Sequence, residues 1–215
     1  MSVDGTRAHL SGPGDLPPLV ERAALTATRL GFPYSCRPEQ GRLLRALAAG
    51  AERIGETGTG CGVGLAWLVS GMRGGATAVS VERDAARAGA AAGLFADLSP
   101  RVTVRHADWT AIAEDGPFDL LVLDGGGQGK ADGPAADPVA LLRPGGVLVI
   151  DDFTPARGGP PTHQGAPDTA RLHWTEHPAL RTVEVPLAPD LAVLLCTRAA
   201  RTVSGRGAPR NAART

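Results

Sequence analysis

Lysine is almost missing from this chain of 215 residues: Lys130 is the only one, and arginine carries the remaining positive charge. Aromatic residues are scarce at 4%, and no apolar run approaches the roughly 20 positions a membrane-spanning helix needs. Neither sign of charge is in excess, since 22 basic residues face 22 acidic ones. A neutral chain has no overall field to draw in nucleic acid or an anionic membrane, so neither partner is expected. Cys36, Cys61 and Cys196 are odd in number and widely scattered. They form neither a disulfide framework nor a metal-type spacing, and fit a reducing, cytoplasmic setting. The N-terminal residues lack a basic segment followed by an apolar one, so no signal peptide is expected.

What is present suffices for one well-buried domain, and nothing demands a second. Residues 1–17 are rich in Gly, Pro and small polar types, and 198–215 are rich in arginine. Both are expected to be disordered tails around a single domain over 18–197. Within it, strand-like and helix-like segments alternate, the sign of a parallel sheet covered by helices. Two amphipathic helices come first, split near Gly31-Phe32-Pro33-Tyr34. Strands are predicted at 52–56, 76–82, 101–105, 118–124 and 147–151, with helices at 62–72, 84–97 and 167–177. Two final strands, 180–185 and 191–196, stand five residues apart, too few for a crossover, so they must form an antiparallel hairpin. The expected architecture is an α/β, Rossmann-like doubly wound sheet of seven strands, mostly parallel, with that C-terminal hairpin.

The most informative stretch runs from the first strand into a helix: Glu56-Thr-Gly58-Thr59-Gly60-Cys-Gly62-Val-Gly64. Glycines there let the backbone turn sharply and present bare N–H groups to a ligand at a helix N-terminus. Further acids stand at or just past the predicted strand ends: Glu82, Asp108, Asp124, Asp151 and Asp152. In an open parallel sheet, ligands bind outside those ends. An acidic rim suits a cationic cofactor or a metal ion better than a pyrophosphate. Taken singly, Glu82 and Asp108 also read as helix caps, and Asp151-Asp152 as a cap and turn before Thr154-Pro155.

These motifs resemble the class I S-adenosylmethionine-dependent methyltransferases. The resemblance implies that Glu56, Gly58, Thr59, Gly60 and Gly62 cradle the methionine end of the cofactor. It implies that Glu82, with Arg83 beside it, meets the ribose hydroxyls. Asp108 and Trp109 would meet the adenine, and Asp124 would border the cofactor. The second half, Phe118–Asp124 and Leu142–Asp152, resembles metal-dependent O-methyltransferases of the catechol and caffeoyl-CoA type. That likeness implies a divalent ion such as Mg²⁺ on Asp124, Asp151 and Asp152, a small phenolic acceptor, and pairing into a homodimer. Two departures stand out: Asp152 replaces the family's Asn, and Lys130 lies six residues after Asp124 where the family's lysine lies three after its acid. Lys130 and Asp124 are the candidate catalytic groups. An NAD-binding Rossmann oxidoreductase and a non-catalytic S-adenosylmethionine-binding protein remain alternatives.

Overall fold

The computed structural model describes residues 4–11, 16–130, 133–156, 158, 162–163 and 165–200. In chain order the elements are α1 (Gly5–Ser11), α2 (Pro18–Arg29), α3 (Pro38–Ala48), β1 (Arg53–Thr57), α4 (Val63–Gly71), β2 (Thr77–Glu82), α5 (Ala85–Leu94), β3 (Val102–His106) and β4 (Phe118–Leu123). Then come α6 (Pro138–Leu141), β5 (Leu142–Phe153), β6 (Thr162–His163), β7 (Ala166–Pro167), α7 (Thr169–Thr175), β8 (Leu180–Ala188) and β9 (Leu191–Arg198). Seven strands form the main sheet in the order β3-β2-β1-β4-β5-β9-β8, and β6 pairs with β7 apart from it. Strands β3, β2, β1, β4 and β5 pair in parallel; β9 runs against both β5 and β8. The expected seven-stranded sheet with its closing hairpin is present.

Side chains alternate across the central strands, so each strand feeds two cores. Leu120, Val122 and Val149 pack on one face with α2, α3 and α4; Leu121, Leu123, Leu148 and Ile150 pack on the other with Ile112 and Trp174. Strand β4 is apolar on both faces because it lies in the middle. Helix α4 has almost no polar residue and is correspondingly buried over Val63–Leu68.

Two expectations about the chain's ends meet different fates. The N-terminal segment 1–17 is not a plain tail, for Gly5–Ser11 forms a helix with Gly5, Thr6 and His9 buried. Trp67 Nε1–H donates to His9 Nε2 at 2.9 Å, and Thr6 Oγ1 donates to the Phe32 carbonyl at 2.7 Å. Tertiary bonds hold a helix too short to persist alone. At the other end, Arg198 closes β9, and 201–215 lie outside the described residues. At 141–146, α6 stops at Leu141 and β5 begins at once, with an irregular register against β4.

Candidate functional site

Crossing order reverses between β1 and β4, where the crossover from β1 goes to one side and that of β4 to the other. A cleft opens there, outside the carboxyl ends of the strands, as such sheets provide. Its walls include Phe32, Tyr34 and Cys36, the loop Gly58–Gly60, Glu82, Arg83 and Arg87, Asp108 and Trp109, and Asp124. Its lining joins aromatic side chains to convergent polar and charged groups, as a small-molecule site does.

The glycine loop works by close backbone approach. Gly58 sits at φ +82°, and a Cβ on it would lie 2.4 Å from the Gly125 Cα. The loop after β1 and the loop after β4 therefore touch, main chain to main chain, and only glycine permits it. Gly62, at φ +93°, starts α4. Gly58 N–H and Thr59 N–H donate to the Val81 carbonyl, fixing the loop to the end of β2.

Glu56 lies behind this loop, 1% exposed. Ser80 Oγ donates to its Oε2 at 2.6 Å, and Thr59 Oγ1 sits 2.5 Å from Ser80 Oγ. Since Ser80 gives its only proton to Glu56, it accepts from Thr59, and the hydroxyls form a relay. A Cβ at Gly64 would stand 2.4 Å from Glu56 Oε1, so glycine there makes room for the acid. Burial pushes the Glu56 carboxyl up to about 8, with Glu82 and Asp151 adding to the effect and Ser80 opposing it.

Glu82 stands at the end of β2, nearly buried. Its Oε2 accepts from Gly60 N–H at 2.8 Å; its Oε1 accepts from Asp84 N–H at 2.8 Å and Arg87 Nη2 at 2.9 Å. Arg87 also lies over the Phe32 ring, 5.2 Å from its centroid. Sequence reasoning missed Arg87; the clue was a cation one turn into α5, three residues after the helix-capping Asp84. Asp108 caps the 3₁₀ stretch Trp109–Asp115, and bonds from the Thr110 N–H and hydroxyl hold its carboxyl below the usual range. Its capping role is thus present, on the cleft wall. Trp109 packs on the glycines after β4: a Cβ at Gly126 would meet it at 2.5 Å.

The acidic corner is at the ends of β4 and β5. Burial is the main cause that holds Asp124 at about 7, and it pushes Asp151 well above the carboxylate range, with the Asp124 charge adding to the effect on Asp151. Gln128 Nε2 donates to Asp151 Oδ1 at 2.5 Å and to the Leu123 carbonyl at 3.0 Å. Lys130 Nζ donates to the carbonyls of Asp151 and Asp152, the second at 2.9 Å. Burial lowers its pKa, while Asp151, Asp152 and Asp124 pull it back up. The glycine run after Asp124 does bring Lys130 to these acids. The expected metal ligand set is another matter. Among the described residues, no group of three or more His, Cys, Asp or Glu side chains is placed to hold a metal ion. The Asp124, Asp151 and Asp152 carboxyls are not grouped as a ligand set, and Gln128 takes up Asp151 Oδ1. Trp174 is core, fully buried, with its Nε1–H on the Gln128 carbonyl at 2.8 Å.

Known proteins carry the same pattern. Residues 56–153 match a family model described as a methyltransferase domain. A probable O-methyltransferase of Mycobacterium tuberculosis is 32% identical over 195 residues, covering 87% of this chain and 85% of the relative. The chain belongs to the class I S-adenosylmethionine-dependent O-methyltransferases. Solved O-methyltransferases share the fold. One from Bacillus cereus, in complex with S-adenosylhomocysteine, has a TM-score of 0.66 at 21% identity, covering 91% of this chain and 96% of that one. TomG from Streptomyces achromogenes, involved in tomaymycin synthesis and solved with S-adenosylmethionine, has a TM-score of 0.66 at 22% identity, covering 92% and 96%. As an O-methyltransferase the chain uses S-adenosylmethionine, which settles the contest with NAD. No helix among its described residues is long and apolar enough to cross a membrane.

Proposed function

We propose that this O-methyltransferase methylates a phenolic hydroxyl of a small molecule at the Asp124 end of the cleft. The cofactor supplies a methyl group activated by its sulfonium charge. The residues present suit it: a glycine cradle at Gly58, Thr59, Gly60 and Gly62, a buried acid at Glu56, and acids at Glu82, Asp108 and Asp124 that favour a cationic ligand. Glu82 is the acceptor for a vicinal diol, with Arg83 and Arg87 flanking it. Trp109 and Asp108 form the base-binding end, an aromatic plane beside a carboxylate.

The acceptor chemistry rests on one observation, Asp124 on the cleft wall with a carboxyl that burial holds at about 7. Asp124 takes the hydroxyl proton, and a base near neutrality is matched to a phenol, whose pKa is near 10. An aliphatic alcohol is far less acidic and would give this base little to work with. Lys130 is not assigned the base role, because its Nζ hydrogens are directed at two carbonyls. No divalent ion enters the scheme, since the carboxyls do not converge on a metal position. Phe32, Tyr34 and Trp109 furnish the flat apolar surfaces that an aromatic acceptor needs.

Transfer of a labelled methyl group to matched phenols and aliphatic alcohols tests this. Phenols should turn over at least about 100-fold faster, the factor that proton transfer to a positioned base typically contributes. Equal turnover of alcohols, or methylation of amines alone, would remove the phenol assignment.

A further inference from the structure

Asp124, Asp151 and Asp152 stand at neighbouring strand ends, and the repulsion between their charges must be offset. A hard divalent ion does so only where several free oxygens converge on it at about 2.0–2.6 Å. Among the described residues no group of three or more His, Cys, Asp or Glu side chains offers them. Asp151 Oδ1 holds the Gln128 amide at 2.5 Å. The main-chain carbonyls of Asp151 and Asp152 receive the Lys130 ammonium.

Both donors are firmly placed. Gln128 is anchored at its own carbonyl by Trp174 Nε1 at 2.8 Å and by a second amide bond to the Leu123 carbonyl at 3.0 Å. The Lys130 ammonium lies 4.0 Å from the centroid of the Phe153 ring, which Arg171 also approaches at 4.9 Å. A cation over an aromatic face is held electrostatically by the ring. The residue type matters as well. The chain uses arginine at every one of its other 21 basic positions. A lysine ammonium is a compact point charge, whereas a guanidinium is a planar fork. Of the two, lysine is the nearer equivalent of a metal ion.

We propose that Lys130, with Gln128 as its positioning partner at Asp151, supplies the positive charge of the acceptor site, and that the enzyme needs no divalent ion. The proposal rests on the acceptor binding at the Asp124 end, as inferred above. The ammonium offsets the negative charge of the deprotonated acceptor. Gln128 fixes the Asp151 carboxyl through their hydrogen bond.

The test titrates MgCl₂ calorimetrically into the full chain and measures S-adenosylhomocysteine affinity on the same preparations. The wild type should show no Mg²⁺ binding at millimolar concentration, and turnover should survive EDTA. Lys130→Met should keep its S-adenosylhomocysteine affinity, which also reports a folded protein, and lose turnover by about 100-fold, the loss typical of removing one fixed electrostatic partner. Lys130→Arg should recover part of that loss. Stoichiometric Mg²⁺ binding to the wild type that Asp151→Asn abolishes would overturn the proposal, and so would full turnover by Lys130→Met. If Lys130→Met does not fold, the wild-type Mg²⁺ titration still decides. Absence of S-adenosylhomocysteine binding by the wild type would strike the cofactor assignment instead, a distinct result.

Discussion

Replacing Glu56 by Gln should make the protein more stable and the enzyme worse. Glu56 is buried behind the glycine loop, and its carboxyl is held at about 8 instead of the ordinary 4.5. The folded state therefore keeps a proton that the unfolded state has already lost. Between about pH 4.5 and 8 the folded chain binds more protons, so stability falls as pH rises through this window. At about 1.4 kcal/mol per unit, the full cost approaches 5 kcal/mol above pH 8, an upper bound because water and neighbouring dipoles relax around the charge. A Gln is neutral, nearly isosteric, and still accepts from Ser80 through its carbonyl. Denaturant unfolding at pH 5 and pH 8.5 should find Glu56→Gln close to wild type at the lower pH and about 2–5 kcal/mol more stable at the higher one. The same variant should bind S-adenosylmethionine more weakly, because a cationic ligand offsets the buried charge in the wild type. Equal pH slopes in the two proteins would refute the burial account. A stability gain with undiminished affinity would leave Glu56 a structural group only.

Two further outcomes follow from the loop and the N-terminal helix. Gly58→Ala places a Cβ 2.4 Å from the Gly125 main chain at a positive φ; the unfolding free energy should drop by about 1–3 kcal/mol or more, as for a residue strained at a special backbone position, and cofactor binding should be lost with it. His9 is buried, which lowers its pKa from 6.5. With Nδ1 directed at the Gly5 carbonyl and Nε2 accepting from Trp67, it is neutral in the fold. The unfolded chain takes up a proton first as pH falls below 6.5, so the His9 contribution is complete above that value and is lost below it. Amide protection factors over residues 5–11, taken against the intrinsic rate at each pH, should fall between pH 6.5 and 5; unchanged protection would contradict the docking role of His9.

The sheet was readable because each central strand is a run of branched apolar residues ended by an acid, and because a five-residue gap forces a hairpin. Glycine spacing after β1 pointed to the cradle for the same reason: Gly58 and Gly62 require conformations other residues avoid. Helix α1 was not readable. Gly-Thr-Arg-Ala-His-Leu-Ser has little helical periodicity, and the bonds from Thr6 and His9 that hold it come from residues distant in sequence. The β6–β7 pair rests on two residues a side, too short for any pattern. At the site, strand-end acids were visible, but their pairing was not. That Gln128 bonds the Asp151 carboxyl, and that Lys130 reaches the carbonyls of Asp151 and Asp152, depends on a loop whose glycines carry no pattern. Arg87 escaped notice because a lone arginine on a helix is usually solvated.

Calorimetric titration of the wild type and Glu82→Gln with S-adenosylhomocysteine, with NAD as competitor, addresses the central claim most directly. A single-site isotherm for the wild type, about 30-fold weaker in the variant through the lost charged hydrogen bonds, and no displacement by NAD are the predicted results. Displacement by NAD, or affinity unchanged in Glu82→Gln, would contradict the account.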